Sequence, residues 1–237
     1  MTEKEKQQAG ELYDPSDREL LNERIKAKKL CAEYNAVESN DFQKRERVLD
    51  RLLALKGVKT VIEPNFFCDY GYNIILGDNF YANHNLVILD CADVTFGDNV
   101  FIGPNCGFYA AEHPVDARLR NQGLESAKPI TVGSSVWIGG GVNVLGGVTI
   151  GDNVVIGAGS VVTGDIPSNC VAAGNPCHVV KMLDPLPAEE AKAPEAPKMT
   201  APVNSNIRPA EPPRRRHVEL TRVDTPQNNG GFPDRRK

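Results

Sequence analysis

Aliphatic residues recur at every sixth position through one stretch of the chain. Val132, Ile138, Val144, Ile150, Ile156 and Val162 fall in phase, and Gly follows four of them. An earlier tract keeps the same spacing with Phe96-Gly97, Ile102-Gly103 and Phe108. Turn-forming residues fill the intervals, as in Gly97-Asp98-Asn99, Gly151-Asp152-Asn153 and Gly157-Ala158-Gly159. A sustained period of six does not suit a sandwich, whose strands vary in length and spacing. It predicts a solenoid in which each hexad supplies one short strand and one turn. The in-phase residue points inward and stacks on its counterparts in neighbouring coils. Gly and Asn accept the positive φ that a sharp corner needs. With 21 Gly in 237 residues and only 6% aromatic side chains, the composition also favours tight repeated turns.

The repeat divides the chain into three. Residues 1–57 are polar, charged and nearly free of Gly. They predict two helices: one behind a Ser16/Glu19 capping box with Leu20, Ala27, Cys31 and Tyr34 on one face, and one from Asp41 to Lys56 ended by Gly57. Residues 58–183 carry the solenoid. Residues 184–237 hold ten of the 17 Pro and a single aromatic, Phe232, so they predict a disordered tail. Its basic clusters, Arg214-Arg215-Arg216 and Arg235-Arg236-Lys237, read as solvated charge or a docking patch whose partner is unknown. The net charge of −4 argues against a nucleic-acid or polybasic membrane-surface role. The polar N-terminus predicts no secretory signal, and no apolar run is long enough to span a bilayer. Six Cys without a CxxC pair read as reduced thiols of a cytoplasmic protein.

Between Phe108 and Ile130 the repeat lapses, so the chain must leave the solenoid as a loop there, and long loops in compact folds tend to be functional. Of four His, His113 lies on this loop before Pro114, His84 in an early strand region, His178 after the repeats and His217 in the tail. A neutral imidazole suits general-base work near pH 7. On residues alone, Asn83 is either a turn Asn or a ligand for a hydroxyl, and Asp69 either a turn cap or a hydroxyl acceptor. Hexad phase makes Ile138 the inward residue, so Trp137, the one Trp, should point out. Gly157-Ala158-Gly159 does not complete a dinucleotide loop, because Val162 holds the third Gly position.

The stretches AGELYDPSD, PNFFCDYGYNI, FYANHN, EHPVD, KPITVGSSVWIGGGV, GVTIGDNVVIGAGSVVT and AAGNPCHVVK resemble the maltose and galactoside O-acetyltransferases, from about residue 4 to residue 183. The resemblance implies a left-handed parallel β-helix, acetyl-CoA as co-substrate, a sugar hydroxyl as acceptor and a homotrimer with sites between subunits. It implies His113 as general base, and Asn83, Asp69 and Arg24 at the acceptor, with Asp90 and Glu125 as weaker candidates. A further family carboxylate falls near Asp14 to Asp17 in ambiguous register. For the cofactor it implies Trp137 beside the thiol end and Gly140 N–H near the thioester. Ala158 and Thr163 would line the pantetheine arm, and His178 and Lys181 would meet the nucleotide end. Gly164 stands where relatives often carry Lys, and His178 where several carry Arg or Ala. No metal is implied, and no Cys sits at a nucleophile motif, so direct attack is expected.

Three rivals stay in view. A γ-type carbonic anhydrase shares the fold but needs three His together, and only His84 and His113 are available. The same machinery serves other acceptors, such as an amino sugar, an amino acid or a xenobiotic. A non-catalytic oligomeric scaffold would work through the tail.

Overall fold

The computed structural model describes residues 1–187. The tail expectation, with its two basic clusters and His217, lies outside them from residue 188. Residues 184–187 still touch the solenoid, since Asn153 Nδ2 donates to the Asp184 carbonyl at 3.1 Å.

Three helices precede the coils rather than two: α1 (Glu3–Gln8), α2 (Arg18–Asn35) and α3 (Phe42–Leu52). α1 was not expected; it carries the capping box that the sequence suggested further on, with Thr2 and Glu5 as its members. The Ser16/Glu19 box is corrected: Asp17 caps α2, accepting from the N–H groups of Glu19 and Leu20. A carboxylate is the stronger acceptor and adds a favourable charge at the helix start. The expected stripe of α2, Leu20, Ala27, Cys31 and Tyr34, is buried. α3 ends at Leu52, not Lys56, because Leu55–Lys56 already pairs in parallel with the strand Ile74–Leu76. Phe42 and Leu55, apolar residues within the expected Asp41–Lys56 span, are exposed. Val48, Leu49, Leu52 and Leu53 join Ala27, Cys31 and Tyr34 of α2 in one core with the coils, so these helices close the first end of the solenoid, while Leu20 packs separately with Tyr13, Tyr70, Cys91 and Ala127.

The remainder is a parallel β-helix with three sheets. In the first, Leu76, Phe96, Val132 and Ile150 stand in register. In the second, Ile62, Ala82, Ile102, Ile138, Ile156 and Ala172 do so. In the third, Cys68, Ile88, Phe108, Val144 and Val162 complete the set. All are buried, so the hexad phase is the inward phase. Rings contribute too: Phe80, Phe96 and Phe108 meet edge to face at 5.2 and 5.0 Å. The strand His178–Met182 runs antiparallel to Cys170–Ala173 and ends the second sheet.

The corners differ. From the second sheet to the third, every coil takes six residues between inward positions, as from Ile102 to Phe108 or Ile138 to Val144. This tight corner is uniform. Asn65, Asn85 and Asn105 hold φ of 60°, 64° and 60° there, and their amides donate one to the next at 3.0 and 2.9 Å. From the third sheet to the first, Cys68 to Leu76 and Ile88 to Phe96 take eight residues, and Phe108 to Val132 takes 24. This wide corner bears the expected excursion, which is more than a loop. Ala111–Glu112 and Ser126–Ala127 pair antiparallel at its base, and a short helix, α4 (Ala117–Arg120), lies within it.

Candidate active site

The wide corner gathers one group of predicted residues. Asp90 anchors it from beneath. Its carboxylate accepts from the N–H groups of Asp69 and Tyr70 at 2.9 Å each, Gly71 at 2.6 Å and Asn73 at 3.4 Å. The residue is 0% exposed. Burial pushes its carboxyl up to about 7, while the Tyr70 and Gly71 N–H groups pull the other way. Asp90 is therefore a correction to the acceptor list: it shapes the corner and has no surface for a ligand.

Above it, a cavity of about 280 Å³ is lined by Pro15, Ser16, Leu21, Arg24, Asp69, Cys91 and Glu125. Arg24 reaches it from α2 and is held in place by Tyr70, whose hydroxyl accepts from Nη1 at 2.6 Å, and by the Pro15 carbonyl. Asp69 Oδ2 accepts from Cys91 Sγ at 3.6 Å. Burial raises the Asp69 carboxyl above its ordinary value, opposed by the Cys91 hydrogen bond and by Arg24 and Lys28. Burial likewise pushes the Tyr70 phenol up to about 12.

His113 stands at the excursion, 55% exposed. Its Nδ1 is 3.1 Å from the Leu124 carbonyl. A carbonyl can only accept, so Nδ1 carries a proton, and in the neutral ring Nε2 is then the nitrogen with the lone pair. Nε2 lies 3.7 Å from Glu125 Oε1, and the other Glu125 oxygen accepts from the Tyr13 hydroxyl at 2.9 Å. Tyr13 and Glu125 also exchange backbone hydrogen bonds, so the chain between α1 and α2 splints the excursion. Tyr13, fully buried, was missed by sequence reasoning, as were Gln7, which donates to the Tyr70 hydroxyl at 3.1 Å, and Cys91. Their signal lies in contacts far along the chain, which no local pattern records.

The tight corner holds a second group. Asn83, Gly140 and Ala158 lie there in different coils. Gly139 and Gly141 donate to Ile156 and Pro104, and Gly157 and Gly159 to Ala172 and Gly140. The N–H groups of Gly140 and Ala158 have no acceptor among the described residues. The stack is close: a Cβ on Gly103 would lie 2.5 Å from the Gly140 nitrogen. Asn83 Oδ1 accepts from the His84 N–H at 2.7 Å, which leaves its amide NH₂ available to donate. Trp137 is 58% exposed and pairs with Phe101 and Val155 on the outward column of the second sheet, as its phase required.

Thr163 is exposed and stands on the wide corner of a later coil, apart from the Gly140 and Ala158 column. His178 and Lys181 are exposed on the last strand, opposite Ala173 and Val171. Among the described residues no hydrogen bond or ion pair joins the His113 group to the Gly140 group. No three His, Cys, Asp or Glu side chains gather as a metal-ligating set among those residues. No helix among them is long and apolar enough to cross a membrane.

Known proteins resemble this chain in sequence and fold. The maltose acetyltransferase hexapeptide capping motif matches residues 6–57, and the bacterial transferase hexapeptide, six repeats, matches 129–164. A Saccharomyces cerevisiae protein named as an acetyltransferase is 56% identical over 175 residues, covering 73% of this chain and 89% of its own. The chain belongs to the hexapeptide-repeat acetyltransferases. Among solved members, a maltose O-acetyltransferase from Clostridium difficile 630 is 50% identical with a TM-score of 0.77, covering 78% of this chain and 99% of its own. A galactoside acetyltransferase in complex with coenzyme A is 44% identical with a TM-score of 0.76, covering 78% and 92%. A hexapeptide-repeat acetyltransferase from Vibrio cholerae, complexed with acetyl coenzyme A, is 38% identical with a TM-score of 0.72, covering 78% and 100%. Membership of this acetyltransferase family displaces both the carbonic anhydrase reading and the scaffold reading.

Proposed function

We propose that the protein transfers the acetyl group of acetyl-CoA to a hydroxyl of a sugar of the maltose, glucose or galactoside type. The observation that carries this reading is the wide-corner cavity. It sets a half-buried carboxylate, Asp69, beside the fixed guanidinium of Arg24, and its lining includes Glu125, whose Oε1 lies 3.7 Å from His113 Nε2. Such a pair suits vicinal hydroxyls, which donate to the carboxylate and accept from the guanidinium. The named relatives support the sugar and the cofactor.

His113 Nε2 takes the acceptor hydroxyl proton as the oxygen attacks the thioester carbonyl. The C–O bond forms and the C–S bond breaks. The departing CoA thiolate receives the proton back from the imidazolium, which Glu125 stabilises in the interval. No acyl-enzyme forms. The unpaired Gly140 N–H supplies an oxyanion donor, and the Ala158 N–H a main-chain partner for the pantetheine arm. Trp137 gives the thiol end an apolar wall, Thr163 contributes from a neighbouring face, and His178 and Lys181 meet the phosphates. Because the two groups sit on different corners, a homotrimer completes each site by bringing the wide corner of one subunit to the tight corner of the next. Asn83 then binds the acceptor held by the neighbour. A soluble, cytoplasmic setting fits acetyl-CoA supply.

An acetyl-CoA consumption screen across sugars, amino sugars and amines tests the reading. Sugars with free hydroxyls should be the best acceptors, and a marked preference for amines would overturn the hydroxyl assignment. His113→Ala should lower turnover by roughly 10²–10⁴-fold with coenzyme binding retained. Unchanged turnover would remove His113 from the mechanism.

A further inference from the structure

α2 meets the first coil at two thiols. Cys31 Sγ lies 3.6 Å from Cys68 Sγ, and both side chains are buried. Cys31 belongs to the buried stripe of α2, and Cys68 ends the strand Phe67–Cys68. A cavity of about 320 Å³ is lined by Lys28, Cys31, Phe67, Cys68, Asp69 and Leu89. Other thiols face oxygen instead: Cys91 the Asp69 carboxylate, Cys106 the Gly139 carbonyl and Cys170 the Pro167 carbonyl. The acetyl-transfer chemistry uses neither Cys31 nor Cys68.

We propose that Cys31 and Cys68 form a peroxide-sensitive dithiol, a modification site that closes to a disulfide between α2 and the first coil. The hydrogen bond between the thiols, with burial, holds the Cys68 thiol well above its ordinary range and favours the Cys31 thiolate. Reaction beginning at either sulfur gives the same disulfide; where Cys31 ionises first it is the nucleophile, because the thiolate is the reactive form. Its sulfur attacks one oxygen of hydrogen peroxide, the O–O bond breaks, and the leaving hydroxide takes a proton to become water. Cys31 is now a sulfenic acid. The Cys68 sulfur then attacks the Cys31 sulfur, the S–O bond breaks, and the second hydroxide leaves as water with the Cys68 proton. Two thiols lose two electrons and peroxide gains two. A disulfide needs the sulfurs about 2 Å apart, a short approach from their present separation.

The bond would join two walls of the Asp69 and Arg24 cavity, since Asp69 follows Cys68 and Arg24 lies on the same helix as Cys31. The chemistry stands independently of the acceptor assignment, and its test reads thiols rather than acetyl transfer. The full chain is treated with hydrogen peroxide, quenched, denatured, alkylated and digested for peptide mapping. The expected product is the Cys31 peptide joined to the Cys68 peptide, two hydrogens lighter than the separate pair, with dithiothreitol restoring both. The thermal midpoint of the oxidised protein should rise and return on reduction. Cys31→Ala and Cys68→Ala should each abolish the cross-link, whereas Cys170→Ala should leave it. Recovery of Cys31 and Cys68 both alkylated would overturn the proposal. So would a Cys31 sulfinic acid beside a free Cys68. The wild-type map needs no variant to fold.

Discussion

The tight and wide corners are made by the same coils and do opposite things. The tight corner repeats without insertion, and apart from the Asn83 amide its candidate groups are main-chain: the N–H of Gly140 and of Ala158, unpaired among the described residues. The wide corner breaks the repeat in three successive coils, and its useful groups are side chains: Arg24, Asp69, Glu125 and His113. The contrast has a physical root. Where a corner stacks this closely, the backbone of one coil leaves no space for a Cβ on the next, as the 2.5 Å approach at Gly103 records. A corner with extra residues must satisfy more backbone, and the residue that does so is the buried carboxylate of Asp90. Regularity yields a peptide surface, the one proposed to hold the cofactor arm, and irregularity yields a cavity lined by charged side chains.

The largest way to break this contrast is Asp90→Ala. Four N–H groups lose their acceptor, and stability should fall by about 3–5 kcal/mol, as when one side of a buried charged network is removed. Urea unfolding measures it. A loss under about 1 kcal/mol would mean that the wide corner stands without its carboxylate. Gly103→Ala attacks the tight corner. The added methyl forces the Gly140 backbone away, at about 1–3 kcal/mol of stability. It should raise KM for acetyl-CoA more than KM for the acceptor. Equal effects on both would separate Gly140 from the cofactor. Asp69→Asn is the gentlest: it keeps the shape and removes the charge. Acceptor kcat/KM should fall about tenfold, near the 1.4 kcal/mol expected for a weakened charged hydrogen bond. Because burial raises the Asp69 carboxyl, its ionised form is lost as pH falls through a value above the ordinary carboxylate range. Asp69 should contribute to the acid limb of wild-type kcat/KM above that range, and Asp69→Asn should remove this contribution while leaving the one from the general base. An identical limb in both proteins would assign it to another group.

The same contrast explains what the sequence disclosed. From Val132 onward the hexads run unbroken, and Val132 to Val162 all proved inward. In the earlier coils, Cys68 to Leu76 and Ile88 to Phe96 each add two residues, so the phase slips once per coil and the tract looked shorter than it is. Leu55–Lys56 was lost to the helical segment for the same reason. Short α1 gave too few turns for a periodicity, and Ser16 and Asp17 compete for one cap in adjacent positions, which only geometry resolves. Among carboxylates, Asp69 and Asp90 both stand as acceptor candidates implied by the resemblance, Asp90 the weaker. They differ in burial, which depends on coils twenty residues apart. His113 was legible because it sits where the repeat fails. Tyr13, which ties that failure back to the N-terminus through Glu125, lies more than a hundred residues away in the chain. The hand of the helix rested on family resemblance alone.

The excursion returns to the stack as if it had never left. Ile130, Thr131 and Val132 pair with Val94, Thr95 and Phe96 in the register of the coils on either side. Its base is shut by the two antiparallel pairs Ala111↔Ala127 and Glu112↔Ser126. Closing a long loop costs little more than closing a short one. The solenoid therefore works as a chassis with a socket. The segment between Glu112 and Ser126 is a cartridge that can be exchanged for one of another length or chemistry, at constant register, to supply a different base or a different rim.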